Sequence, residues 1–194
     1  MLAGIDYGSK TAGTTVICYG HQPDKLNLVG TSVKQDADQF LQLMLLNLKP
    51  ELVCIDAPLS LPGIYHNLPG CTDYFYRHAD KALNAMSPMF LGGLTARAIK
   101  LKNEPSLNGI KFLEAYPGGF VREFKLQDSY NKKEKALTPQ FIEILKHKYD
   151  VNLPAFEIPN WHYADALICW LIAYRIKNKI NQSFGQLDEG LIYI

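Results

Sequence analysis

Three aspartates sit in apolar sequence, where a lone carboxylate is costly to desolvate unless something pairs with it. Asp6 lies in Ala3-Gly4-Ile5-Asp6-Tyr7-Gly8, Asp56 ends the run Leu52-Val53-Cys54-Ile55, and Asp165 stands in His162-Tyr163-Ala164-Asp165-Ala166-Leu167. Adjacent strands lie only ~4.8 Å apart. If Asp6 and Asp56 end neighbouring strands, their charges repel unless a cation sits between them. A helix packed on the sheet would bring Asp165 to the same place. Three oxygen donors with room for water suit Mg²⁺ or Mn²⁺. Such an ion binds phosphate oxygens and activates water for in-line attack.

Each aspartate also has a plainer explanation. Asp6 could form the turn at Gly8, Asp56 could be a strand-end residue before Pro58, and Asp165 could charge the first turn of a helix. The apolar setting of all three together favours a shared site. His162 precedes Asp165 by three residues, so on a helix the two share a face. It could ligate metal, position the attacking water, or cap the helix beside Trp161. Glu114, in Phe112-Leu113-Glu114-Ala115-Tyr116, is either a further ligand or general base, or the partner of Arg77, Arg97 or Arg122. Arg77 and Asp80, three apart, could face substrate or form an ion pair on a helix surface.

Strands are expected at Leu2 to Tyr7, Gly13 to Gly20 and Leu26 to Val33, the second rich in β-branched residues. A helix follows from Asp36 to Leu48, with apolar Phe40, Leu41, Met44, Leu45 and Leu48, and Pro50 stops it. Leu52 to Asp56 is short and wholly apolar, as a buried parallel strand should be. Residues 57–108 carry many tyrosines and small residues and read as an insertion, with helical pieces near Thr72 to Ala85 and Leu94 to Leu101. A fifth strand runs from Ile110 to Tyr116 and is ended by Pro117-Gly118-Gly119. Helices follow at Pro139 to Tyr149 and Trp161 to Asn178, and Gly190 to Ile194 reads as a closing edge strand. This order implies an α/β protein: three antiparallel strands, then parallel ones, with flanking helices, as in the ribonuclease H-like fold. At 194 residues the chain suits one such domain, 1–194, with its insertion.

The ordered set Gly4-Ile5-Asp6-Tyr7-Gly8, Ile55-Asp56-Ala57-Pro58-Leu59-Ser60, Tyr76-Arg77-His78-Ala79-Asp80, Glu114-Ala115-Tyr116-Pro117-Gly118 and Trp161-His162-Tyr163-Ala164-Asp165-Ala166-Leu167, closed by Asp188-Glu189-Gly190-Leu191-Ile192, resembles domain-of-unknown-function family 429. That family is catalogued as predicted nucleases with a ribonuclease H-like fold, and the resemblance spans nearly the whole chain. It implies a site role for Arg77 and Asp80. More distantly, Asp6, Asp56 and Asp165, with His162, are similar to the metal-holding residues of Holliday-junction resolvases. Those carry a glutamate where Asp56 stands.

The resemblance implies a metal-dependent nuclease with nucleic acid as partner. Two other classes stay open. An actin or sugar-kinase type nucleotide-binding protein also opens with Asp-x-Gly, although 194 residues are few for two lobes. A non-catalytic ribonuclease H-like binding module is the third.

The net charge of +1 neither supports nor excludes nucleic acid. Lys132-Lys133-Glu134-Lys135, Lys146-His147-Lys148 and Arg175-Ile176-Lys177-Asn178-Lys179 read as solvated faces, and Tyr65, Tyr74, Phe75 and Tyr76 as the insertion's own small core. Gly8-Ser9-Lys10-Thr11 lacks the glycine spacing of a phosphate-cradling P-loop. Cys18, Cys54, Cys71 and Cys169 have no knuckle or redox-pair spacing, which implies free thiols and a reducing compartment. The N-terminus does not read as a signal peptide. The longest apolar stretch, Ala166 to Tyr174, is shorter than the ~20 residues a bilayer needs. A cytoplasmic location with no membrane partner is expected.

Overall fold

The computed structural model describes residues 1–154 and 158–194. Its centre is a seven-stranded mixed sheet of order β3-β2-β1-β4-β5-β7-β6. β1 (Leu2–Asp6), β2 (Val16–Gly20) and β3 (Leu26–Gly30) form the expected antiparallel meander. The third strand stops at Gly30, short of the expected Val33, which keeps only an isolated bridge to Ala12. α1 (Ala37–Leu48) carries the chain to β4 (Leu52–Asp56), which pairs parallel to β1, and β5 (Lys111–Ala115) pairs parallel to β4. Asp36 caps α1 by accepting from the amides of Asp38 and Gln39.

Between β4 and β5 lie α2 (His78–Leu83), α3 (Pro88–Leu91) and α4 (Gly93–Lys102). The helix expected from Thr72 thus starts only at His78. α5 (Pro117–Glu123) was not expected, because Pro117-Gly118-Gly119 reads as a break. Proline is well suited to the first turn of a helix, where its missing N–H costs nothing, and that is where Pro117 sits. After α6 (Thr138–Tyr149) and α7 (Trp161–Lys177) the chain ends in a hairpin, β6 (Ser183–Gln186) and β7 (Gly190–Tyr193). The last strand is therefore not an edge. It pairs parallel to β5, and the unforeseen β6, mostly exposed, forms the edge outside it.

Side chains alternate across the sheet. Leu2, Leu52 and Cys54 pack under α7, with Trp161, Leu167, Ile168 and Trp170 in one buried cluster. Ala3, Ile5, Val53 and Ile55 face the other way, onto Leu41 and Leu45 of α1 and Ala98 and Leu101 of α4. Asp6 and Asp56 continue the α7-facing series.

Helix α7 touches β1 directly. A Cβ on Gly4 would lie 2.0 Å from the Trp170 nitrogen and 2.5 Å from the Ala166 oxygen. Ala166, Cys169 and Ala173, all fully buried, supply the small residues at helical spacing that allow this approach. Gly4→Ala is expected to cost about 3 kcal/mol or more, since backbone must move and no side chain can yield. A thermal melt followed by circular dichroism should show a Tm fall of roughly 6–12 °C.

Candidate metal centre

Asp6 and Asp56 are register partners at the ends of β1 and β4. The contact at Gly4 sets what lies above them. Two strand residues, from Gly4 to Asp6, span ~6.6 Å. Four helix residues, from Ala166 back to His162, span ~6 Å. The start of α7 is thereby delivered over Asp6, and His162 Nδ1 lies 2.6 Å from Asp6 Oδ2. Asn160 caps the helix by accepting from the His162 amide, 3.1 Å away. Asp165, one turn on and 1% exposed, completes the group. One oxygen from each of Asp6, Asp56 and Asp165 lies within 4.8 Å of the others.

A histidine, a lysine and a phenol answer these charges. Asp165 accepts from the Tyr130 hydroxyl and from Lys132 Nζ. Tyr130 is held by edge-to-face contact with Trp161, centroids 5.1 Å apart, and by Phe141 at 5.2 Å. The Trp161 indole in turn donates to the Glu134 carbonyl at 3.1 Å. Burial disfavours the Lys132 ammonium, but Asp165, Asp56 and Asp6 together raise its pKa. The hydrogen bond to Asp6 likewise raises His162.

The carboxylates show the strain of sharing this space. Burial, with repulsion from Asp165, pushes Asp6 up to about 6 despite the bond from His162. Among the described residues Asp56 has no such bond to lower it, and burial, Asp6 and Asp165 raise it well above the ordinary carboxylate range. A divalent cation is the countercharge that would favour the ionised forms of Asp6 and Asp56, so the donor set fits one.

Lys132 and Tyr130 went unrecognised as site residues, Lys132 having been read with its neighbours as a solvated face. No local pattern marks them, because the loop that carries them meets Asp165 only through the fold. The other basic stretches do not flank the site. Lys177 pairs with Glu51 and Lys146 with Glu143, while Arg175 donates to the Ile180 carbonyl.

Glu114 is not brought into this group. It alternates with Leu113 and Ala115, which pack in the α7 layer, so its side chain leaves from the opposite face. There it takes a two-pronged bond from Arg77, Nη1 and Nη2 each at 2.7 Å, and one from the Leu59 amide at 2.9 Å. Arg77 also grips Asp80 through Nε at 3.1 Å and Nη2 at 2.6 Å. Arg77 and Asp80 were expected at substrate or as a surface pair. Their side chains are fully buried and spent on each other and on Glu114. Burial raises the Glu114 pKa against the pull of Arg77.

A cavity of about 300 Å³ opens beside the carboxylates. Its lining includes the polar Asp6, Asp56, Glu114 and His162 and the largely apolar Ala85, Met86, Leu91, Leu94, Tyr116 and Ile192. Of the aromatics expected to form the insertion's own small core, Tyr65, Tyr74 and Phe75 are exposed and Tyr76 is half-buried; Phe75 lies against exposed Phe90, centroids 5.6 Å apart.

The turn after Asp6 is closed by its own hairpin. Gly8 and Ser9 amides donate to the hydroxyls of Thr15 and Thr14 at 3.0 and 3.1 Å, and a Cβ on Gly8 would lie 2.1 Å from Thr14 Oγ1. Arg97 donates to the Gly8 carbonyl at 3.0 Å and stacks over Tyr7.

No family model matches the chain, and no curated protein or solved structure is significantly similar to it. All four cysteines are free, and among the described residues no helix is long and apolar enough to cross a membrane.

Two outcomes follow from the electrostatics. An unfolded Asp loses its proton near 3.9, whereas Asp6 holds its own to about 6 and Asp56 is raised as well. From roughly pH 4 to 6 the folded protein therefore binds more protons than the unfolded chain, and metal-free stability falls as pH rises. His162, also raised, adds a loss of the same sign above about 6.5. Urea midpoints across this range should fall in metal-free protein and flatten in Asp56→Asn, which should also be the more stable at pH 7. Separately, Arg77→Ala should cost about 3–5 kcal/mol by stranding Asp80 and Glu114. A substrate-binding role alone would leave the melting temperature unchanged.

Proposed function

We propose that this protein is a divalent-metal-dependent nuclease with a ribonuclease H-like fold, hydrolysing phosphodiester bonds at the Asp6–Asp56–Asp165 site. The observation that carries the reading is the convergence of three embedded carboxylates, from two neighbouring parallel strands and the last long helix, within 4.8 Å. The strand order β3-β2-β1-β4-β5, antiparallel then parallel, supports the fold assignment.

Asp6, Asp56 and Asp165 would hold Mg²⁺ or Mn²⁺. When bound, the ion neutralises charge on the phosphoryl group and eases deprotonation of the attacking water. His162 keeps one ring nitrogen on Asp6, which fixes the ring and leaves the other for proton transfer at the cavity. Lys132, half-exposed beside Asp165, is placed to pair with a phosphate oxygen. The apolar wall, with Met86 exposed at its rim, suits the face of a single base more than a closed duplex. Nucleic acid with an unpaired nucleotide is thus the favoured substrate.

A nucleotide-binding role of the actin type needs free amides after the first strand to cradle phosphate. Here the Gly8 and Ser9 amides are used by Thr15 and Thr14, which weighs against that reading.

Asp6→Asn and Asp165→Asn should each lower Mn²⁺-stimulated cleavage by about 10²-fold or more, with an unchanged far-ultraviolet spectrum. Purified protein that cleaves no single-stranded, flap or junction DNA or RNA with Mn²⁺ would overturn the proposal.

A further inference from the structure

A second cluster of ligating groups lies apart from the carboxylates. Cys71 comes from the loop ahead of α2, His78 from the first position of α2, and Glu189 from the turn between β6 and β7. One ligand atom of each lies within 4.8 Å of the others. We propose that Cys71, His78 and Glu189 bind a zinc ion that fastens the segment after β4 to the terminal hairpin.

The donor chemistry selects the metal class. A thiolate, an imidazole and a carboxylate together suit Zn²⁺, whereas Mg²⁺ and Ca²⁺ take oxygen ligands. Tetrahedral bonds of about 2.0–2.3 Å put ligand atoms roughly 3.5 Å apart, so His78 Nδ1 and Glu189 Oε2, 2.8 Å apart, would open slightly around the ion. Water would fill the fourth position.

The surroundings are prepared for it. Glu189 is 2% exposed although Leu187, two residues before it in the same turn, is 81% exposed. Its carboxylate is oriented by the amides of Gly63 and His78, each at 2.7 Å, and lies 2.8 Å from His78 Nδ1. Such outer bonds are how metal-binding side chains are held in place. Gly63 is required by crowding at the cluster: a Cβ there would lie 2.5 Å from Cys71 Sγ and 3.1 Å from Glu189 Oε1.

The segment also has little apolar support, its ties being turns and polar bonds such as those to Asp73. Among the described residues, positions 64–76 carry no buried side chain. A loop without an apolar core gains most from a metal that binds only the folded form.

Cobalt titration of the chelator-stripped full chain tests this directly. One equivalent of Co²⁺ should produce a thiolate-to-cobalt charge-transfer band, lost on adding Zn²⁺ and absent in Cys71→Ala. Zn²⁺ should raise Tm by more than about 3 °C in the wild-type protein and not in His78→Ala. Asp6→Asn should retain both responses, which separates this site from the nuclease reading. No thiolate band in the wild-type protein, or a band that survives in Cys71→Ala, overturns the proposal. The wild-type titration decides even if that variant fails to fold.

Discussion

The backbone of α7 rests on β1 at Gly4 with no side chain between them, and this contact fixes the geometry of the acidic site. Because strand and helix advance at known rates, the contact at Gly4 determines which helix residue meets Asp6. His162 falls over the carboxylate, and Asp165 falls one turn further along the same face. The fully buried Ala166, Cys169 and Ala173 extend the same close approach. A bulkier residue at any of them would lift the helix and with it two members of the site. Placement of the chemistry is thus a packing result, obtained in the apolar layer beneath it.

Packing brings the charges together, and the cost appears in their protonation. Three carboxylates face one lysine and one histidine, a deficit of one positive charge when all are ionised. The deficit settles on Asp56, which has burial and two acidic neighbours but no bonded cation of its own. Asp165, at the opposite corner, is bound by Lys132 and Tyr130. Without metal a proton on Asp56 answers the deficit, and a divalent cation that displaces that proton would answer it instead.

The parts of this site legible in sequence were those in which a residue contradicts its neighbours. Asp6, Asp56 and Asp165 each stand in an apolar run, and the pattern of runs gave β1, β4 and α7 close to their observed bounds. Glu114 stood out for the same reason, yet its partner is Arg77 on the opposite face. Reading the alternation Phe112, Leu113, Glu114, Ala115 against the sheet's two layers would have separated it from Asp56. Lys132 and Tyr130 carry no such contradiction, since lysine and tyrosine in a polar loop are ordinary. Only the path of that loop over α7 gives them a role. The terminal hairpin failed differently: Ser183–Gln186 is short and mostly exposed, so no apolar alternation announces it.

The wall of the cavity is held by more than apolar packing. The floor, β1 and β4 under α7, is set by apolar contact and a missing Cβ. Most of the wall comes from the segment between β4 and β5, which packs Ala79, Leu83, Ala98 and Leu101 into the apolar layers and adds polar ties of its own. Arg77 reaches Glu114 on β5, Arg97 reaches Asp38 at the start of α1 and the Gly8 carbonyl, and Glu189 receives the amides of Gly63 and His78. The buried Arg77–Glu114 pair adds little net stability against apolar packing, but it demands one orientation, because any other strands a charge. The carboxylates and the apolar surface facing them therefore answer to separate parts of the sequence. Changes in the 57–108 segment can reshape what enters the cavity while Asp6, Asp56 and Asp165 stay where α7 and Gly4 put them.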